Sequence, residues 1–248
     1  MIYQGFAYLY DQLMSDAPYD EWVDLISASI SNYLPHAKEI LDVGCGTGAV
    51  TIRLAEKQFD VTGVDLSEDM LTVAQAKCNE ANVQVRLLQQ DMRELAGFTQ
   101  PFDVVTICCD SLNYLENEKD VKSTFHAVNQ QLKPGGLFIF DVHSIFKINE
   151  IFAGATFAEQ DEDISYIWKS YNGDKPNSVE HDLTFFVLQN GFYERYDELH
   201  RQRTFSITDY SNWLKEASFD ILTICADFNI DNTPSETSER IFFVARKK

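Results

Sequence analysis

The chain predicts an α/β fold: a mostly parallel sheet covered on both faces and interrupted by an antiparallel β insertion. Three patterns carry this expectation. Strand-like and helix-like segments alternate from Glu39 to Asp141, the rhythm of a parallel sheet whose crossovers are helices. The first strand-like run, Ile40-Leu41 and Val43, ends in Gly44, Gly46 and Gly48 and passes into helix-like Thr51–Ala55. Residues 155–206 then change to apolar/polar alternation rich in Phe, Tyr, Trp, Thr and Val, which reads as antiparallel strands.

Taken in order, the first 35 residues read as two helices. Phe6, Leu9, Tyr10, Leu13 and Met14 recur at helical spacing, as do Trp22, Ile26 and Ile30, with Pro18 and Pro35 as punctuation. Strands are expected at 39–43, 60–64, 83–89, 103–109 and 137–142. Helices fall near 49–57, 68–81 and 118–132, with Ser67 placed to cap the second. A short helix-like piece, Ile145 to Phe152, leads into the insertion. There Asn172-Gly173 and Asn190-Gly191 mark turns, the second joining runs 179–189 and 192–205. The acidic run Glu159 to Asp163 reads as a solvated loop, because no His is near and the spacing suits no metal. A helix at 208–217 and strands at 219–227 and Arg240–Ala245 follow, the last two joined by a polar loop containing Pro234 that permits antiparallel pairing.

The glycine turn carries the chemistry. Without a Cβ, Gly44, Gly46 and Gly48 can take φ > 0 and let a nucleotide lie against bare main chain. The N–H groups of the following helix start point at such a ligand. Asp65 ends the next apolar run, Val61–Val64, where a carboxylate can accept bonds from ribose hydroxyls. Gly44-x-Gly46-x-x-Ala49 also fits the dinucleotide fingerprint, so spacing alone leaves the nucleotide open. A plain turn would not need three glycines, each costly in chain entropy.

Composition excludes other classes. With 45% apolar and 13% aromatic residues the 248-residue chain has enough material for a packed core. Its formal net charge of −19 repels phosphate backbones, and the one Lys/Arg cluster is the tail Arg246-Lys247-Lys248. A small-molecule substrate is expected, and no nucleic acid. No apolar run approaches the ~20 residues of a membrane span, and no Lys or Arg precedes Lys38, so neither a signal nor a transit peptide is read. Five cysteines without a CxxC pair suggest buried thiols in a reducing, cytoplasmic setting. No metal site is expected, and oligomeric state is not legible.

Glu39-Ile-Leu-Asp42-Val-Gly44-Cys-Gly46-Thr-Gly48, Asp65, Gln90-Asp91-Met92, Phe102-Asp103-Val104-Val105 and Leu132-Lys-Pro-Gly-Gly136 together resemble the class I S-adenosylmethionine (SAM)-dependent methyltransferases. The resemblance covers about residues 37–142 and, by pattern, 208–246. It implies a Rossmann-like sheet of seven strands in the order 3-2-1-4-5-7-6, the last antiparallel, with SAM as methyl donor. It implies that Gly44 and Gly46, with Cys45 and Gly48, cradle the methionine part, that Asp65 with Leu66 holds the ribose, and that Asp91 and Met92 receive the adenine. Asp42, inside the first strand, is expected either to meet the ligand's ammonium or to brace its own turn. The segment Phe6–Asp11 resembles the aromatic lid of glycine- and sarcosine-type enzymes, which directs Tyr10 toward the site. The organisation implied is a helical lid at 1–36, a SAM-binding domain at 37–144 and 207–248, and an insertion at 145–206 over the acceptor.

Further candidates come from strand ends. Asp110, expected with the cofactor-binding set, and Asn113 and Tyr114 follow the fourth strand, where loops face the ligand crevice. His143, just past the fifth strand, is the candidate base. In His200-Arg201-Gln202-Arg203 the two arginines share one strand face; they suit either an acceptor carboxylate or a surface ladder with Glu194, Asp197 or Glu198, the ladder being favoured in so acidic a chain. No Ser-His-Asp or Cys-His set appears, and an activated methyl sulfonium requires none. Two alternatives remain: an NAD-dependent oxidoreductase, which should not require Asp91, and a non-catalytic SAM-binding regulatory module.

Overall fold

The computed structural model describes Tyr10, Met14 and residues 17–160 and 163–248; the aromatic lid segment other than Tyr10, and the first helix expected there, lie outside the described residues. The central sheet contains β1 (Glu39–Val43), β2 (Asp60–Asp65), β3 (Arg86–Gln89), β4 (Phe102–Ile107), β5 (Leu132–His143), β10 (Phe219–Ala226) and β11 (Arg240–Lys247). Its order is β10-β11-β5-β4-β1-β2-β3. Six strands run in one direction, while β11 is antiparallel to both its neighbours, β5 and β10. Counted along the chain this is the 3-2-1-4-5-7-6 arrangement implied by the resemblance.

Both faces are covered, so the strands read as nearly unbroken apolar runs. Along β5, Phe138 and Phe140 join one core with Phe125, Tyr210 and Phe243, while Leu137 and Ile139 join the other with Trp22, Ile26, Leu54 and Phe242. That is the two-residue period of a strand. Each fully buried Phe contributes about 1.5–3 kcal/mol of apolar transfer. The covering helices are α1 (Tyr19–Tyr33), α2 (Ala49–Glu56), α3 (Glu68–Glu80), α4 (Glu118–Gln131) and α5 (Ile207–Glu216). Ser67 caps α3 by accepting from Met70 N, Asn117 caps α4, and Ser206 with Asp209 forms a reciprocal capping box on α5.

Two strand starts differ from expectation by three residues or more. β3 begins at Arg86 because Asn82, at φ 54°, ends α3 and Val83 N bonds back to Cys78 O. β5 begins at Leu132, which already pairs with Phe102; an irregularity between Phe102 and Val104 absorbs the Pro-Gly-Gly segment. A Cβ on Gly136 would lie 2.9 Å from Asp103 O. Asp103 in turn accepts from Lys38 N and Glu39 N and pairs with Lys133 Nζ at 2.8 Å, so it ties β1 to β5 rather than serving a site.

The insertion is a second antiparallel sheet, β6 (Thr156–Gln160), β7 (Ile164–Asn172), β8 (Ser178–Gln189) and β9 (Phe192–Arg203), in that order. Asn190 (φ 52°) and Gly191 (φ 82°) close the β8–β9 hairpin with Gln189 opposite Phe192, the geometry in which Asn-Gly excels. A six-residue π-helical turn, Lys147–Phe152, buries Ile148 and Phe152 against Val179 and Trp168. Among the described residues no helix is long and apolar enough to cross a membrane.

Candidate active site

At the carboxyl ends of β1, β2 and β4 lies a cavity of about 460 Å³. One wall is the turn from β1 into α2. Gly44, Gly46 and Gly48 all have positive φ, 71°, 54° and 81°. A Cβ on Gly44 would stand 2.9 Å from Ser111 Cβ, whereas one on Gly46 would meet nothing within 4 Å. Gly44 is thus required for close packing and Gly46 for its backbone angle. The turn is strapped to β2: Gly44 N and Cys45 N donate to Val64 O, and Gly46 N donates to Asp65 Oδ2 at 2.8 Å. Asp65 Oδ1 accepts from Ser67 N at 2.9 Å. Burial raises the Asp65 carboxyl from its ordinary value against the opposing pull of these N–H groups. A carboxylate has about four acceptor positions, so two donors leave room for ribose hydroxyls.

Asp42 sits beneath the turn, 2% exposed. Its oxygens accept from Thr51 Oγ1 (2.5 Å) and Thr106 Oγ1 (2.9 Å), joining β1, α2 and β4. Burial pushes its carboxyl up to about 6 although both hydroxyls favour the anion. Asp42 therefore braces its turn, and it also lines the cavity. Leu66, Asp91 and Met92 line the same end. Asp91 is held by Arg93 through the main-chain N–H and the guanidinium, which lowers its carboxyl, and Arg93 reaches on to Asp120 Oδ2 at 3.2 Å. Sequence reasoning missed Arg93, although it stands two residues from Asp91.

The opposite wall follows β4. Cys109 and Asp110 take φ of 56° and 52°, left-handed angles unusual for residues with a Cβ. Their N–H groups both donate to Asp141, at 2.9 and 3.1 Å. Asp141 has no exposed surface and also accepts from Trp22 Nε1 and pairs with Arg240. Arg240 Nη2 reaches Asp110 Oδ1 at 3.0 Å, and Gln202 Nε2 reaches Asp110 Oδ2 at 2.8 Å. Burial alone would raise the Asp110 carboxyl, but the Arg240 guanidinium and the hydrogen bonds from His143 and Gln202 outweigh it and hold the group well below the usual carboxylate range. Asp110 is thereby kept ionised and faces the cavity.

Tyr10 and Tyr114 line this end, as does His200. Tyr114 Oη lies 3.1 Å from His200 Nδ1, and burial raises both tyrosine hydroxyls while lowering His200. Asn113 is fully buried; it accepts from His143 N and donates to Arg203 O, clamping β5 to β9. His143 is placed behind the wall rather than at the crevice edge. It pairs with Arg240 across β11, is 4% exposed, and turns Nε2 toward Asp110 Oδ2 at 3.3 Å. It borders a separate cavity of about 440 Å³. Arg201 pairs with Glu180 and Arg203 bonds to Pro176 O and Glu116 O, so neither enters the first cavity. Asp141 and Arg240 were also missed; their one sequence signal is a charge placed inside an apolar run. Among the described residues no cluster could hold a metal ion.

One end of the cavity thus offers bare backbone and carboxylates, suited to a nucleoside with a cationic tail. The other offers aromatic hydroxyls, an imidazole and one ionised Asp. Residues 40–136 match the family model described as Methyltransferase domain. The chain is 55% identical, over all of its length and 98% of the relative's, to the Bacillus subtilis (strain 168) protein named "Putative methyltransferase YqeM". It superposes with TM-score 0.89 and 32% identity on a SAM-dependent methyltransferase from Clostridium acetobutylicum ATCC 824, covering 100% and 99% of the two chains. SAM-bound CalS10, an amino pentose methyltransferase from Micromonospora echinaspora, shares the fold at TM-score 0.76 and 20% identity over 97% and 96%. The chain belongs to the SAM-dependent methyltransferases, enzymes that transfer a methyl group from SAM.

Proposed function

We propose that SAM lies across Gly44–Gly48 with its amino-acid end over Cys45 and toward Asp42, its ribose at Asp65 and Leu66, and its adenine beside Asp91 and Met92, and that a small-molecule acceptor occupies the end lined by Tyr10, Tyr114 and Asp110. The observation that carries this reading is that both sets of residues, Gly48 excepted, line one continuous cavity. When bound, SAM supplies a methyl group already activated on a sulfonium. The protein's part is to align the acceptor for in-line displacement and to keep water out. Asp42, Asp65 and Asp91 complement the donor's positive charge, and Gly44 is packed too tightly against Ser111 to admit a side chain.

The assignment divides the chain by role: residues 1–36 as a lid represented here by Tyr10, residues 37–144 and 207–248 as the SAM-binding part, and residues 145–206 as the cover over the acceptor. The glycine- and sarcosine-type likeness enters only through Tyr10. His143 acts as a support for Asp110, not as the base. A small acceptor is favoured over nucleic acid by the net charge of −19. The test is to incubate the enzyme with methyl-labelled SAM and, separately, a small-molecule extract and total RNA. Label is expected in the small-molecule fraction; label confined to RNA overturns the proposal.

A further inference from the structure

We infer that the methyl-accepting atom is the nitrogen of a small amine, received as a cation by Asp110 and the tyrosine rings and deprotonated through Tyr114 onto His200. The inference rests on the acceptor-end reading above. The cavity lining carries five carboxylates, Asp42, Asp65, Asp91, Asp110 and Asp120, against the guanidinium of Arg93. Arg93 is engaged between Asp91 and Asp120. A phosphate or carboxylate acceptor would enter this field with no cation of the lining left to meet it among the described residues, and like charge at close range is repelled strongly in a poorly solvated site.

Part of that field answers the charge of the donor, but Asp110 stands on the other wall. Behind it, Asp110 and Asp141 share the one guanidinium of Arg240, and burial keeps His143 neutral by lowering its affinity for a proton. This group holds one negative charge in excess, and Asp110 is its member on the cavity. An ammonium there would complete the balance, with the ring of Tyr114, 48% exposed, as a further cation-binding face.

An ammonium has no lone pair, so it must lose a proton before attack. Tyr114 Oη, 3.1 Å from His200 Nδ1, provides the route. The phenolic proton passes to Nδ1 while Oη takes one from the ammonium, leaving Tyr114 unchanged and His200 as imidazolium. The nitrogen lone pair then forms the new bond to the methyl carbon, and the carbon–sulfur pair goes to sulfur. The products are a methylammonium and the neutral thioether, and two positive charges are present before and after. The ionisable groups facing this pair are Asp110 and Asp65 from the strand ends, Glu198 on β9, His181 across on β8, and Tyr10.

The test uses matched sets of an amine, an alcohol and a carboxylic acid on one carbon frame, such as benzylamine, benzyl alcohol and benzoate, and the cyclohexyl and 2-hydroxyethyl equivalents. Each is incubated with the full chain and methyl-labelled SAM, and products are read by mass spectrometry. Label on nitrogen is expected for at least one amine, about tenfold or more faster than for its alcohol, and none on the acids. Equal or faster transfer to an alcohol or acid overturns the inference. So does SAM binding by calorimetry with no amine accepted, whereas failure to bind SAM overturns the cavity reading itself. On the accepted amine, Tyr114→Phe should lower kcat on the order of 10² with KM little changed. That deficit should shrink as pH rises toward the amine's own pKa. An unchanged kcat, or a deficit independent of pH, would leave Tyr114 as a wall and remove the relay.

Discussion

The two sheets hold their share of the site by different means. In the central sheet, groups are aimed by main chain: three positive-φ glycines set the turn, and Asp65 is fixed by the N–H groups of Gly46 and Ser67. In the insertion they are aimed by reach: Gln202 extends from β9 to Asp110, and His200 to Tyr114. The first sheet is buried on both faces, while the second leaves Ile167, Tyr171, Phe192, Tyr193 and Leu199 exposed. Backbone geometry tolerates little change, so it suits a donor that is always the same. Side-chain reach can be altered one residue at a time, which suits an acceptor wall.

The largest effect is expected at the seam between the regions. Arg240→Met leaves Asp141 and Asp110 buried without their guanidinium and should cost about 3–5 kcal/mol in denaturant unfolding; a loss below about 1 kcal/mol would mean another group holds the seam. Within the backbone-aimed half, Gly44→Ala adds a left-handed penalty to a 2.9 Å clash with Ser111. Its cost should be about 2–4 kcal/mol, against about 1–2 for Gly46→Ala, where space is open. Equal costs would show that the angle alone matters at Gly44.

A smaller effect concerns pH. The Asp42 carboxyl is raised by burial to about 6, so the folded protein holds this proton more tightly than the unfolded chain. The contribution of Asp42 to stability is therefore fully present below the ordinary value of 3.8 and is lost as pH rises through about 6. SAM affinity should run the opposite way. It should weaken on acidification below about 6, by up to about tenfold per pH unit, as the charge facing the donor is lost. Asp42→Asn should flatten that slope; a slope retained in the variant assigns it elsewhere. The smallest change is expected on the outer face of the insertion. Arg201→Ala breaks an exposed pair with Glu180 and should alter stability by under about 1 kcal/mol, with SAM affinity unchanged.

The same contrast explains what could be read from sequence. Gly44 to Gly48 and Asp65 were legible because a positive-φ turn demands glycine and a strand end demands a fixed interval. The β8–β9 hairpin was legible because Asn190-Gly191 suits its two left-handed residues. The Asp141–Arg240 pair was not, since its partners are 99 residues apart and meet only when β11 inserts beside β5. That pairing also places His143: the sequence puts it just past the fifth strand, whereas β5 extends through it with Arg240 opposite.

Placement of the donor against the backbone-aimed wall, with its ribose on Asp65, is checked by titrating SAM into the wild-type chain and Asp65→Ala by calorimetry. Each charge-assisted bond is worth roughly 1.5–3 kcal/mol. SAM affinity is expected to be at least about tenfold weaker in the variant, with circular dichroism and the unfolding midpoint showing the fold retained. An affinity unchanged in a folded variant would contradict it, because the ribose would then be held elsewhere.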